Sequence, residues 1–227
     1  MDKLSTFVLS EAVFIPFCVA LFRWRRIDKT YYPFFLLLGV AALAELVSFL
    51  EIRLFHSNAA VVNIYELLEC AIIICQFYRW HGIRMETKSM YLLQSINLVA
   101  WIICNLVFFH LNDFNFPLYR ILYPFLVVIL SINEINRMII HANGQLYKNA
   151  RFILCLGFII YFLYLILYEG AFLVSKVDKT EVSNEIIHLF GKVNVFANGI
   201  YLLVVFLVPR RRDSAFERIF DRIGDDN

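Results

Sequence analysis

Residues 151–174 read RFILCLGFIIYFLYLILYEGAFLV. After Arg151 the stretch carries a single charged side chain, Glu169. A helix of about 20 apolar residues spans the roughly 30 Å of a bilayer's hydrocarbon core. This run is long enough to cross and too uniformly apolar for the surface helix of a soluble domain. Working outward from it, six more runs of the same kind appear: Leu4–Phe22, Pro33–Phe55, Ala60–Tyr78, Met90–His110, Pro117–Asn136 and Ile186–Val208. The expected fold is all-α, a polytopic membrane protein built as a bundle of seven transmembrane helices over residues 1–209, followed by a short tail over 210–227.

Composition agrees with this reading. Of the 227 residues, 61% are hydrophobic and 18% charged, whereas a soluble domain is nearer half apolar and a quarter charged. The bundle uses almost the whole chain, which leaves no second soluble domain. The breaks are short and polar: Arg23–Thr30, the tight turn His56–Asn58, Trp80–Ser89, Leu111–Phe116, Arg137–Lys148 with its Asn143-Gly144 turn signal, and Ser175–Glu185. A net charge of +2 points to no nucleic-acid partner, because the basic residues flank apolar runs. The expected environment is the lipid bilayer.

Orientation follows from Lys and Arg. One side collects fifteen of them: Arg23, Arg25, Arg26, Lys29, Arg79, Arg84, Lys88, Arg137, Lys148, Arg151, Arg210, Arg211, Arg212, Arg218 and Arg222. The other side has five: Lys3, Arg53, Arg120, Lys176 and Lys179. The bias predicts the N-terminus outside and the C-terminus in the cytoplasm. The first run has one lysine before it, a basic cluster after it and no small-residue cleavage site, so it reads as a retained helix. Trp24, Tyr31, Tyr32, Tyr78, Trp80, Tyr119 and Tyr123 fall at predicted interfaces and read as a headgroup-level aromatic belt.

The five cysteines, Cys18, Cys70, Cys75, Cys104 and Cys155, all lie in apolar runs without C-x-x-C spacing. They read as small buried hydrophobes.

Polar groups inside the hydrocarbon are costly and usually face the bundle interior or a wet cavity. Every aspartate lies in a loop, a turn or the tail. The carboxylates within spans are glutamates: Glu11, Glu45, Glu66, Glu69, Glu134 and Glu169, with Glu51 near an end. Lys192 is the one lysine within a span. Third-helix Asn63, Tyr65, Glu66 and Glu69 include an i, i+3 carboxylate pair that can look into one space. Two carboxylates so close cannot both ionise cheaply; the pair suits a proton relay, a cation site, a counter-ion or a structural hydrogen-bonded pair.

In the fourth run Gln94, Asn97, Trp101 and Asn105 share one face. That stripe serves as interhelical glue or as a ligand-lining face. The seventh run has two polar faces, His188 with Lys192 and, nearly opposite, Gly191, Asn194, Asn198 and Tyr201. A helix polar on both sides is expected to pack centrally, and Gly191 and Gly199 would permit close backbone approach. Glu134 can pair with Arg137, and Arg53 and Glu169 can snorkel to an end. By depth, Glu11, Glu45, Glu66, Glu69, His188 and Lys192 form an outer-half group that predicts an acidic pocket reachable from outside. Charge economy further predicts that Glu66 or Glu69 holds Lys192 in the interior. A rarer use of such a lysine is a Schiff base with retinal beside a third-helix counter-ion; no other cofactor is indicated.

The tail places Phe216, Ile219, Phe220 and Ile223 on one helical face between arginines. That pattern suits an amphipathic helix on the inner leaflet, or the docking of a partner. No H-E-x-x-H, G-x-S-x-G or phosphate-loop pattern occurs. The histidines at 56, 81, 110, 141 and 188 are scattered, which argues against a multi-histidine zinc site. Non-catalytic functions therefore come first.

The segment Asn63-Ile-Tyr-Glu-Leu-Leu-Glu69, leading to Phe77-Tyr78, resembles the third-helix N-x-Y-x-x-x-E-like signature of a family of uncharacterised seven-helix bacterial inner-membrane proteins. The last run, with His188, Asn194 and Asn198 before the basic stop, is similar to theirs. The resemblance implies a bacterial inner membrane and a sensory role, and carries over no ligand or catalytic residue. The leading expectation is a small sensor or receptor with an outer-half polar pocket, signalling through a separate partner at the cytoplasmic face. The alternatives are a proton- or cation-coupled small-solute carrier and a membrane assembly scaffold.

Overall fold

The computed structural model describes residues 11–81, 87–107, 118–141, 146–177 and 181–209. Among the described residues there are helices and no strand. In chain order they are α1 (Phe14–Arg23), α2 (Tyr32–Phe55), α3 (Ala59–His81), α4 (Thr87–Ile102), α5 (Leu118–His141), α6 (Ala150–Val177) and α7 (Glu181–Leu207). Six helical segments, α2 to α7, are long and apolar enough to cross a membrane, and the chain is a multi-pass membrane protein. Within the first expected run the described helix is the 3₁₀ turn Glu11–Val13 and the 10 residues of α1; the start of that run, 4–10, lies outside the described residues. The amphipathic tail expected over 210–227 also lies outside them.

Local sequence accounts for the helix ends. Pro33 sits in the first turn of α2, where its missing N–H costs nothing. His56 closes α2 in the left-handed conformation at φ 61° and returns its N–H to the Ile52 carbonyl at 3.1 Å, which makes the tight turn into α3. Pro124 lies inside α5, where it removes a ladder bond to the carbonyl four residues back, that of Arg120. The fourth run ends in a π-helical turn, Ile103–Val107, with Cys104 turned inward. Two breaks are shorter than expected. Trp80 is helical, and α6 and α7 extend to Val177 and back to Glu181, so most of Ser175–Glu185 is helix continuing past the apolar core.

The helices form a closed ring. Neighbours pack as α1–α2, α2–α3, α3–α5, α5–α6, α6–α7 and α7–α1, while α4 lies outside against α3 and α5. The position of α4 explains its polar stripe. Gln94 Nε2 donates to the Ala71 carbonyl at 2.8 Å, Trp101 Nε1 to the Asn63 carbonyl at 2.7 Å, and Asn97 Oδ1 accepts from Tyr119 Oη at 2.8 Å. These bonds fasten a helix that is otherwise largely exposed. Asn105 bonds back to the Trp101 carbonyl of its own helix at 3.2 Å.

The end of the ring that carries Arg23, Arg79, Arg137 and Arg151, termed the basic end, has a layer of described side chains packed across the ring, termed the sealed layer, beside a recess lined by Asp28, Thr30, Tyr31, Asn149 and Arg151. Gln76 accepts at Oε1 from the Phe34 N–H and donates from Nε2 to the Thr30 carbonyl, both at 2.8 Å, which caps the start of α2 from α3. Asp28 Oδ1 accepts from the Thr30 N–H and hydroxyl, and its own N–H bonds the Pro209 carbonyl. Arg23 donates to the Val205 and Val208 carbonyls at the end of α7. An aromatic series, Tyr31–Trp80–Phe77–Phe158–Tyr201–Phe34, runs through the interior at centroid spacings of 5.4 to 6.4 Å. The belt reading is thus corrected for Tyr31, Trp80, Tyr119 and Tyr123, which are 2–5% exposed. On α5, Tyr119, Tyr123, Val127 and Ser131 recur at i, i+4, i+8 and i+12, so the two tyrosines share the inward face despite standing at the helix start.

Candidate functional site

Within the ring, nearer the end opposite the arginines, lies a partly enclosed cavity of about 230 Å³. Five helices contribute to its wall. Leu37, Leu38, Ala41, Ala44, Glu45 and Ser48 come from α2, and Val62, Tyr65, Glu66 and Glu69 from α3. Arg120 and Tyr123 come from α5, Tyr161 and Leu165 from α6, and Phe190, Asn194, Asn198 and Tyr201 from α7. Val13 closes one side. Leu37, Leu38, Ala41 and Ala44 of α2 make an apolar part of the wall, while α3, α5 and α7 contribute most of its polar groups together with Glu45 and Ser48 of α2.

Two carboxylates on successive turns of α3 are held differently. Glu69 is fully engaged: Oε1 accepts from Tyr65 Oη at 2.7 Å and Oε2 from Tyr123 Oη at 2.9 Å. Glu66 instead meets a cation, with Oε1 at 2.6 Å from Arg120 Nε. The same guanidinium reaches Glu169 Oε1 of α6 at 2.9 Å through Nη2. Arg120 therefore ties α5 to both α3 and α6 in a charged triad, with the two carboxylate side chains 5% and 0% exposed. Charges this deep persist only when paired, and taking away the cation would leave two buried carboxylates facing each other's field.

The structure corrects four expectations. Lys192 is not the interior cation at Glu66 or Glu69; it is exposed, as is His188, and Arg120 fills that role. The physical reason is rotation. With Asn194, Asn198 and Tyr201 turned to the cavity, the opposite stripe of α7 must face away from the bundle, and the ammonium's long stem tolerates that face. α7 therefore lies in the ring wall with one polar stripe outward, not in the centre. Glu169 does not snorkel, because burial against Arg120 holds it inside. Gly199 likewise faces open space, whereas Gly157 on α6 is closely packed: a Cβ there would stand 2.9 Å from Ile200 and 3.3 Å from Tyr201.

Of the residues singled out in sequence, Glu45, Tyr65, Glu66, Glu69, Asn194, Asn198 and Tyr201 meet at the cavity. Asn63 is buried, and Asn97, Trp101 and Asn105 bond between or along helices, outside the lining. His188 and Lys192 point away, and the Glu11 side chain lies outside the described residues. The expected Glu134–Arg137 pair forms at 2.7 Å near the basic end. Sequence reasoning missed Arg120, Tyr123, Tyr161 and Glu169. Arg120 and Tyr123 are an i, i+3 pair inside an apolar run, the signal that could have placed both on one face.

Two polar atoms of the cavity wall remain over. Glu66 Oε2 and Asn198 Oδ1 are buried without a hydrogen-bond partner among the described residues, although the Asn198 amide nitrogen is used on the Asn194 carbonyl at 2.9 Å and on Asn194 Oδ1 at 3.1 Å. An unmade hydrogen bond at a buried acceptor costs about 1–3 kcal/mol, so these atoms mark where a further molecule would be stabilised. Among the described residues no three His, Cys, Asp or Glu converge as a metal-binding set. Tyr201 belongs to both regions. It lines the cavity and packs edge-on against Phe34 and Phe158 of the sealed layer. No family model, curated protein or solved structure matches the chain.

Proposed function

We propose that this protein is a seven-helix receptor of a bacterial inner membrane, oriented with its N-terminus outside and its C-terminus in the cytoplasm. Its cavity takes a small ligand from the outer side, and a separate partner at the cytoplasmic face reads the result. The observation that carries this reading is the asymmetry about Tyr201. On one side is a partly polar cavity with unsatisfied acceptors, on the other a sealed layer joined by hydrogen bonds to the basic end. A ligand that prefers one position of Tyr201 would shift Phe34 and Phe158 with it, because close-packed interiors transmit displacement. The inner-membrane assignment, the outside N-terminus and the seven-span count rest on the charge bias and on the resemblance of Asn63–Glu69.

The experiment is reconstitution of the full chain in liposomes, with ligand binding and solute flux measured on the same preparation. A receptor binds without flux. Substrate- or proton-coupled flux would replace this reading by the coupled carrier, for which the Glu66–Arg120–Glu169 triad is suitable equipment. Orientation is tested by a reporter active only in the cytoplasm. Fused after Asn227 it should work and inserted near Asn184 it should fail; the reverse would overturn the charge-bias argument.

A further inference from the structure

We infer that the cavity's ligand is a small organic ammonium, an amine of under about ten non-hydrogen atoms. The inference rests on the proposed reading of the cavity as a ligand site and names the chemical class that fits it. It follows from a census of donors and acceptors. Several of the cavity's donors are committed to carboxylates: Tyr65 and Tyr123 to Glu69, and Arg120 to Glu66 and Glu169. The atoms left over, Glu66 Oε2 and Asn198 Oδ1, are both acceptors on residues only 4% and 6% exposed. These two acceptors call for a donor; an ammonium brings three N–H groups and no acceptor, and the Tyr161 and Tyr201 hydroxyls can accept from it as well.

Charge and shape agree. Among the described residues the lining carries the carboxyl groups of Glu45, Glu66 and Glu69 and the Arg120 guanidinium, which serves Glu66 and Glu169. A bare metal ion would need ligands that converge, and among the described residues none do. An organic cation asks only for an acceptor or two and aromatic faces, which attract ammonium groups within about 6 Å; Tyr161, Tyr201 and Phe190 supply such faces. The apolar side, Leu37, Leu38 and Ala41, suits a hydrocarbon body. A volume of about 230 Å³ equals about seven or eight waters at roughly 30 Å³ each, which sets the size limit.

The test uses the full chain in nanodiscs and three probes of matched size, 2-phenylethylamine, 2-phenylethanol and phenylacetate, with calorimetric titration. The amine should bind saturably, and the alcohol and the carboxylate at least about tenfold more weakly, as expected when a charge-assisted hydrogen bond is lost. Glu66→Gln should weaken the amine by a similar factor. Because Glu66 also pairs with Arg120, a second variant guards against misfolding. Asn198→Ala removes an orphan acceptor whose amide bonds only its own helix, and should weaken the amine at least about threefold. Alcohol or carboxylate binding as tight as that of the amine, lost on filling the cavity with Ala41→Trp, would overturn the ammonium while leaving the ligand site standing. Saturable binding of none of the three would overturn both. An amine affinity unmoved by Glu66→Gln and Asn198→Ala would also sink the inference.

Discussion

Gln76 and Glu66 sit on the same helix, ten residues apart, and both are buried. Gln76, toward the basic end, uses both ends of its amide on the start of α2 and is 1% exposed. Glu66, toward the other end, gives one oxygen to Arg120 and keeps the other without a hydrogen-bond partner among the described residues, on a side chain that lines the cavity. The first arrangement is what fixes a fold: a polar group with its partners supplied by the chain itself. The second leaves stabilisation unrealised, which a protein retains where another molecule completes it. The contrast separates polar residues that hold the bundle from polar residues available for function.

Four substitutions break or sharpen this contrast. The largest effect is expected from Arg120→Met, which strands Glu66 and Glu169 together. Breaking a buried charge network in this way costs about 3–5 kcal/mol, read as a lowered unfolding midpoint in detergent. Adding Glu66→Gln and Glu169→Gln should restore part of the loss, because the three groups are coupled. Strict additivity would show that the triad is not the unit described.

Next is Gln76→Leu. The buried Phe34 N–H and the half-buried Thr30 carbonyl lose their partners, for about 2–4 kcal/mol. Amine affinity at neutral pH should stay within about twofold in the fraction that remains folded, since Gln76 does not line the cavity. A large loss of affinity would mean that the two halves are not separable.

Gly157→Ala should fall between the regions in its consequences. Its methyl group would press on Ile200 and Tyr201, costing about 1–3 kcal/mol as overpacking does, and it should also weaken ligand binding because Tyr201 lines the cavity. A stability cost without any change in binding would remove Tyr201 from the coupling between the halves.

Lys192→Met is the smallest. An exposed side chain away from the cavity should change stability by no more than about 0.5 kcal/mol. A cost of several kcal/mol would restore the interior pairing that charge economy in the sequence suggests.

The sequence made the helices legible and left their rotation open. Run length and apolarity locate α2 to α7 within a few residues, because a membrane span imposes both on the chain directly. Glu45, Tyr65, Glu66, Glu69, Asn194 and Asn198 were also recoverable, since polar residues in apolar runs are few. Which stripe of α7 turns inward was not recoverable. His188 with Lys192 and Asn194 with Asn198 are equally periodic, and the choice is made by packing of α7 against α6 and α1. Arg120 was hidden by position. Three residues past Pro117 it reads as a flank, and only the fold shows α5 bringing that first turn against α3 and α6. Glu169 and Tyr123 were misread for the same reason, because linear distance from a run's end does not report burial within a ring.

The most direct test of the central claim, a cavity open on one side and sealed on the other, is cysteine accessibility in vesicles of known orientation. Ala44 lines the cavity, and native Cys155 lies fully buried on α6, one turn from Phe158 of the sealed layer. In a Cys18→Ala, Cys75→Ala background, Ala44→Cys should react with a membrane-impermeant cationic thiol reagent added at the end opposite the arginines. It should be protected from reagent added at the basic end, and Cys155 should react from neither. Labelling of Ala44→Cys from the basic end, its protection from both ends, or labelling of Cys155 would contradict the account.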